Sequence, residues 1–251
     1  RRPLVYTVHD PVPHPGAVAR SRLERATNAC WLRRADTVVL HGESLSAVLG
    51  LPAARRVRVV PHGIRVAREP FEAPAQPRLL LFGRIEPYKG VDVLLAAMED
   101  VWAARPDVTV TIRGRGSLDV VAPDDARVVI DHSYVPESEI DPMFAGATLT
   151  VLPYRQGSQT GVGIQSVARG VPVVVTDVGA LPDVADGTGQ VVASGDPAAL
   201  AAGILRMLGH DQALRARVHR HAGEHFDWRV VARRYLDVYT EATATGAGSR
   251  R

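Results

Sequence analysis

Short apolar runs that alternate with stretches of helical periodicity leave this chain few folds to choose from. The strand-like runs are Leu4 to Val8, Thr37 to Leu40, Val57 to Val60, Leu79 to Phe82, Val108 to Ile112, Val128 to Ile130, Leu149 to Leu152 and Pro172 to Thr176. Leu79-Leu80-Leu81-Phe82 is apolar throughout, as a strand covered on both faces must be, and the helical stretches supply the cover. The expected class is α/β, with a parallel sheet and helices on both of its faces.

The alternation lapses once. Between Arg65 and Pro77 the chain carries Pro70, Pro74 and Pro77, which disfavour helix and read as an extended linker over residues 67–77. Residues 78–225 then form a unit of nucleotide-binding size. Residues 1–66 are expected to be the remnant of a preceding unit, because Arg1-Arg2-Pro3-Leu4-Val5 enters almost directly into a β-type run as though earlier strands were left out. Val230, Val231, Tyr235, Leu236 and Tyr239 fall at helical spacing, so residues 226–245 are expected to hold a C-terminal helix returning to the first unit, with a frayed tail from Ala242 onward.

Composition narrows the class further. With 251 residues and 46% hydrophobic content, the chain can bury a sizeable core. Cys30 is the only cysteine, which excludes an internal disulfide and a cysteine-based zinc cluster and points to a reducing compartment, the cytoplasm. No apolar run approaches the roughly 20 residues that span a bilayer. The net charge of +3 is small and the acidic residues are scattered among the arginines, so nucleic-acid binding is not indicated. Peripheral contact with the anionic inner face of a membrane stays open.

The chemistry concentrates in two strand-loop-helix segments. Lys89 is the only lysine among 30 Lys+Arg residues, and it stands in Gly83-Arg84-Ile85-Glu86-Pro87-Tyr88-Lys89-Gly90, between an apolar strand and an amphipathic helix beginning at Val91. Where arginine is the rule, a retained lysine marks a place for a compact point charge on a slim stem. Arg84 and Lys89 can converge on an anion in the crevice beyond the strand's carboxyl end. The second segment, Pro153-Tyr154-Arg155-Gln156-Gly157-Ser158-Gln159-Thr160-Gly161-Val162, leads into a helix closed by Gly170. There Thr160 and the unpaired first amides of the helix supply further donors, and two such sites could grip a diphosphate from both sides.

With Tyr134-Val135-Pro136, Val151-Leu152-Pro153-Tyr154 and Gly170-x-Pro172-Val173-Val174-x-Thr176-Asp177-x-Gly179-x-Leu181-Pro182, the chain resembles the retaining GT-B glycosyltransferases of family 4 over nearly its whole length. The resemblance implies a GT-B fold, two Rossmann-like domains facing a cleft, the first incomplete. It implies a nucleoside-diphosphate sugar as donor (UDP-, GDP- or ADP-linked), a hydroxyl-bearing acceptor as the other partner, and no required cofactor or metal. Arg84 and Lys89, with Gly83, match the diphosphate-binding loop, where the two cations would offset charge on the leaving group. Gly114 and Gly116 match the turn beside the nucleoside, and Asp131 to Val135, with Tyr134, the stretch whose backbone meets the base. His9 matches the strand-end histidine over the transferred sugar.

The departures from the family pattern are specific. Its two glutamates eight positions apart fall here on Gly157 and Gln165. Gln165 can still hydrogen-bond a ribose, whereas Gly157 cannot replace a carboxylate. Ser158-Gln159-Thr160-Gly161-Val162 resembles a subgroup with a Gln-Ser/Thr-Gly-Val loop, in which Gln159 and Thr160 would cover the sugar and the phosphate. His41 and His62 also follow strands; His62 stands where the family shows an asparagine turn before the linker and is assigned a structural role, and no histidine has metal-ligand spacing along the chain. The lost glutamates leave a noncatalytic nucleotide-sugar-binding protein as one alternative. A GT-B epimerase or phosphorylase is the other. Without the family's first strands, the fragment alone is expected to transfer poorly.

Overall fold

The computed structural model describes residues 2–9, 22–49, 56–116, 120–121, 123–157 and 159–248. The first unit holds β1 (Val5–Thr7), α1 (Arg22–Arg34), β2 (Thr37–Leu40), α2 (Leu45–Val48) and β3 (Val57–Val59), whose strands form a parallel sheet in the order β1-β2-β3. All four residues of β2 are buried, as befits the central strand.

The second unit opens with β4 (Arg78–Phe82) and α3 (Val91–Ala104), followed by β5 (Thr109–Arg113), β6 (Val128–Asp131) and α4 (Glu137–Ala145). It continues through β7 (Leu149–Leu152), α5 (Gly161–Val167), β8 (Val173–Thr176), α6 (Leu181–Ala185), β9 (Gly189–Val192), α7 (Pro197–Leu208) and α8 (Gln212–His225). Its six strands are parallel in the order β6-β5-β4-β7-β8-β9. Alternate residues of each strand serve opposite faces. Leu79, Leu81, Val110, Ile112 and Val174 pack with Leu94, Met98 and Val101 of α3 and Leu200 and Ile204 of α7, whereas Leu152, Val173 and Val175 pack with α5, α6 and α8. Each of these aliphatic side chains contributes about 1.5–3 kcal/mol by leaving water. Asp196 and Asp211 cap α7 and α8 by accepting from the amides of Ala199 and Leu214.

All eight strand-like runs form strands. The ninth, β9, was not foreseen because Gly189-Gln190 breaks the apolar pattern. Its glycine is what permits pairing, since a Cβ on Gly189 would lie 1.9 Å from the carbonyl oxygen of Val173. The tail also differs from expectation: α9 (Trp228–Gly248) continues through Ala242, which is buried. Alanine favours helix, and the hydroxyls of Thr240 and Thr243 fold back onto the carbonyls of Leu236 and Tyr239, so nothing stops the helix at Ala242. Val231 and Val238 of α9 pack against Val39 and Val60 of the first unit. The proline-rich connection is extended but pinned, with the amides of Ala67 and Phe71 donating to the carbonyls of Ala168 and Arg169.

Candidate functional site

In the second sheet, β4 pairs with β5 on one side and with β7 on the other, so the connections leave β4 and β7 toward opposite faces. Such a reversal opens a crevice beyond the strands' carboxyl ends. Both segments singled out in the sequence lie there, directly after β4 and directly after β7. They interlock: the amide of Arg155 donates to the carbonyl of Tyr88 at 2.8 Å, and Arg155 pairs with Asp92 at the start of α3. Gly90, at φ +67°, lies so close that a Cβ would sit 2.0 Å from the Pro153 carbonyl oxygen.

The loop after β5 runs alongside the loop after β4. Gly83 and Ile85 donate their amides to the carbonyls of Arg113 and Arg115 at 3.1 and 2.7 Å. A Cβ on Gly114 would meet the Gly83 carbonyl oxygen at 2.2 Å, and one on Gly116 the Ile85 carbonyl oxygen at 1.9 Å. These two glycines are therefore required by backbone packing, independently of any ligand. Tyr134, on the segment after β6, is exposed, and the Arg115 guanidinium lies 5.1 Å from its ring centre.

Arg84 and Lys89 occupy opposite environments on one loop. Arg84 is exposed and pairs with Glu86 at 3.4 Å. Lys89 ends a single 3-10 turn (Pro87–Lys89) and is buried, its Nζ donating to the Tyr154 hydroxyl at 2.5 Å and lying 3.8 Å from that ring's centre. Burial lowers the pKa of the Lys89 ammonium, an effect that the neighbouring Tyr88 opposes. Burial likewise pushes the Tyr154 phenol upward. The result is a desolvated cation held by phenol and ring faces, for which an incoming anion is a strong electrostatic partner.

Thr160 caps α5: its Oγ1 accepts from the Gly163 amide at 3.1 Å, which leaves the amides of Gly161 and Val162 as the donors at the helix start. Val162 reaches back to the first loop, 3.3 Å from where a Cβ on Gly83 would be. Gly157 has φ +151°, a conformation that a side chain rarely adopts, so a glutamate would be strained there. Ser158 lies outside the described residues.

Facing α5 are the strand ends of the first sheet. His9, beyond β1, is exposed; its Nδ1 is 3.1 Å from Nε2 of the buried His41, whose own Nδ1 is 2.8 Å from the Val60 carbonyl oxygen. The Gln159 amide donates to the His9 carbonyl, while its Oε1 is buried without a partner among the described residues. A cavity of about 470 Å³ is lined by His9, His62, Gln159, Gly161, Ile164 and Gln165 among others. An adjoining one of about 720 Å³ takes in His41, Thr160, Asp183 and His221.

Four candidates, His9, Gln159, Gly161 and Gln165, thus share one cavity, with Thr160 on the next. Gly83, Arg84, Lys89 and Gly114 form a neighbouring group joined to it through Val162, and Tyr134 stands at the far edge beside Arg115. Two features went unread in the sequence. Tyr154 carries no role in the sequence reading, although it reaches Lys89 from the opposite loop while Tyr88 flanks the ammonium on its own loop. His62 reads in the sequence as a turn residue and His41 carries no role there, yet three histidines each following a strand of one parallel sheet is the signal that joins them with His9.

Residues 76–210 match the family model described as glycosyl transferases group 1. The chain belongs to this glycosyltransferase family. It is 34% identical over 232 residues to the D-inositol 3-phosphate glycosyltransferase of Streptomyces avermitilis, covering 83% of this chain and 50% of that protein. It is 31% identical over 263 residues to a glycogen synthase of Mycobacterium tuberculosis, covering 96% and 63% respectively. The chain therefore spans between about half and under two thirds of the length of these relatives. Among solved structures, a sucrose-phosphate synthase from Thermosynechococcus elongatus superimposes with a TM-score of 0.73 at 22% identity, covering 96% of this chain and 68% of that one. Anabaena HepE in complex with UDP-glucose gives 0.73 at 19% identity, covering 96% and 72%. The fold of the chain is GT-B, with two units of parallel sheet and helices meeting at a cleft.

Proposed function

We propose that this glycosyltransferase moves a sugar from a nucleoside-diphosphate donor to an acceptor hydroxyl with retention of configuration, residues 78–225 forming the donor side. Residues 1–66 and the helix of 226–245 form the acceptor side, joined through the linker 67–77. The observation that carries this reading is the cavity that joins His9 to Gln159, Gly161 and Gln165, with the loop of Arg84 and Lys89 reaching it through the contact of Val162 with Gly83. Arg84, Lys89 and the amides of Gly161 and Val162 hold the diphosphate at the switch point, with Thr160 fixing the start of α5. Gln165 binds the ribose, and Gly114 and Tyr134 border the nucleoside. His9 and Gln159 cover the sugar.

In this mechanism the bond from the anomeric carbon to the diphosphate oxygen breaks as the bond to the acceptor oxygen forms on the same face. The acceptor's proton passes to the departing phosphate. Arg84 and Lys89 stabilise the negative charge that grows on that phosphate. UDP is the first nucleotide to try, because HepE is solved with UDP-glucose.

The test is to titrate the chain with UDP, GDP and ADP while following thermal unfolding. A ligand at about 100 times its Kd adds about 2.7 kcal/mol of stability. One nucleotide should raise the unfolding temperature, and Lys89→Ala should abolish the rise while remaining folded. An undiminished rise, or full donor turnover, in Lys89→Ala would refute the site.

A second reading has its own support in Gly157, which stands in place of the usual carboxylate in a backbone conformation that would strain one. In that reading the protein binds nucleotide sugars without transferring them. Donor consumption with a panel of nucleotide sugars and acceptors, measured on the full-length protein, separates the two.

A further inference from the structure

Each strand of the first sheet leads into one histidine: His9 after β1, His41 after β2 and His62 after β3. Because the strands are parallel and adjacent, their carboxyl ends lie side by side, and residues far apart in sequence converge at one edge. One ring nitrogen from each of the three lies within 4.8 Å of the other two. His41 stacks on His62 with ring centres 3.8 Å apart, and the His9 ring centre is 4.8 Å from that of His41.

We propose that His9, His41 and His62 form a binding site for a divalent transition-metal ion of the zinc class. Imidazole is the preferred ligand of such ions, and three histidines with one exchangeable position make a familiar tetrahedral set. Bonds of about 2.0–2.1 Å separate neighbouring ligand atoms by about 3.3 Å in a tetrahedron. The pair His41 Nε2 and His9 Nδ1, at 3.1 Å, already spans such an edge. His62 completes the set by a side-chain rotation that turns its ring out of the stack on His41.

Two further features fit a ligand set. His41 directs Nδ1 to the Val60 carbonyl, and donation of that N–H leaves the lone pair of Nε2 directed toward the cluster. An outer hydrogen bond of this kind fixes the tautomer of metal-binding histidines. Burial is also graded, with His41 buried, His62 half-buried and His9 exposed, so the fourth coordination position opens onto the cavity shared with Gln159 and Gln165. An ion there takes His9 out of contact with a bound sugar, so loaded protein transfers more slowly. That consequence rests on the transfer reading; metal binding does not.

The experiment uses the untagged full chain, stripped with chelator, titrated with Co²⁺ and separately with Zn²⁺ in competition with a chromogenic chelator. One equivalent should bind, with the strong visible absorption of four-coordinate Co²⁺. His41→Ala and His62→Asn should each weaken binding by at least about tenfold. The stacked pair His221 and His225 on α8, with ring centres 4.1 Å apart, is the competing site, so His225→Asn should leave binding unchanged. Loss of binding in His225→Asn with retention in His62→Asn would overturn the proposal, as would absence of binding altogether. If His41→Ala does not fold, His9→Asn at the exposed end of the cluster takes its place. Nucleotide titration of the same variants keeps the donor site distinct, since a chain that still binds nucleotide but no metal refutes this inference alone.

Discussion

At the scale of single residues, Lys89 shows why an ammonium is not interchangeable with a guanidinium. Its Nζ sits between Tyr88 and Tyr154 in a space that burial has already stripped of water. A planar guanidinium is wider, and Lys89→Arg keeps the charge while displacing it from the pocket. Donor turnover should fall by about 10²-fold or more, the scale of losing one transition-state donor, with the fold retained. Wild-type kcat in Lys89→Arg would mean that charge alone suffices. Composition made Lys89 legible, because one lysine among so many arginines stands out. It could not make Tyr154 legible, since that contact depends on β4 and β7 being neighbours, which no local pattern records. His41 and His62 were hidden for the same reason: what unites them is the order of strands.

At the scale of elements, the second sheet is built around α8 as much as around its strands, and Arg215 is the reason. This side chain is fully buried, and its two Nη atoms donate to the carbonyls of Ala147 and Thr148 at the entry to β7 and of Phe71 and Glu72 in the connection between units. Those four partners are neutral, and burial lowers the guanidinium to about 10. A cation kept under such conditions is retained for the four carbonyls it satisfies, which no aliphatic residue could serve. Arg215→Ala should cost about 2–5 kcal/mol by denaturant unfolding, and Arg215→Lys should recover only part of it because the ammonium lacks the fork. A change within about 0.5 kcal/mol would show the carbonyls to be satisfied otherwise. None of this was readable beforehand. Helix α8 looks polar, and an arginine at helical spacing reads as surface, whereas the eight strand runs were visible because each carries its burial in its own composition.

At the scale of the whole molecule, stability should fall on acidification through the histidine range, and His210 provides the means to check it. His210 follows α7, with Nδ1 2.7 Å from the Met207 carbonyl oxygen, and burial lowers it below the ordinary 6.5. His221 on α8 is lowered too, by burial and then by His225. A depressed base binds its proton more weakly in the folded chain than in the unfolded one. As pH falls below about 6.5, the unfolded chain gains protons first, and folding stability declines until the folded groups titrate as well. Asp183 works in the opposite sense: burial raises its carboxyl, so the folded chain takes up that proton first and gains stability as pH falls. Comparing denaturant midpoints of the wild type and His210→Asn from about pH 8 to about pH 5 removes the shared Asp183 contribution. The variant should lose less stability on acidification than the wild type. Parallel curves would show that His210 titrates alike in both states, and a steeper decline in the variant would reverse the sign assigned to it.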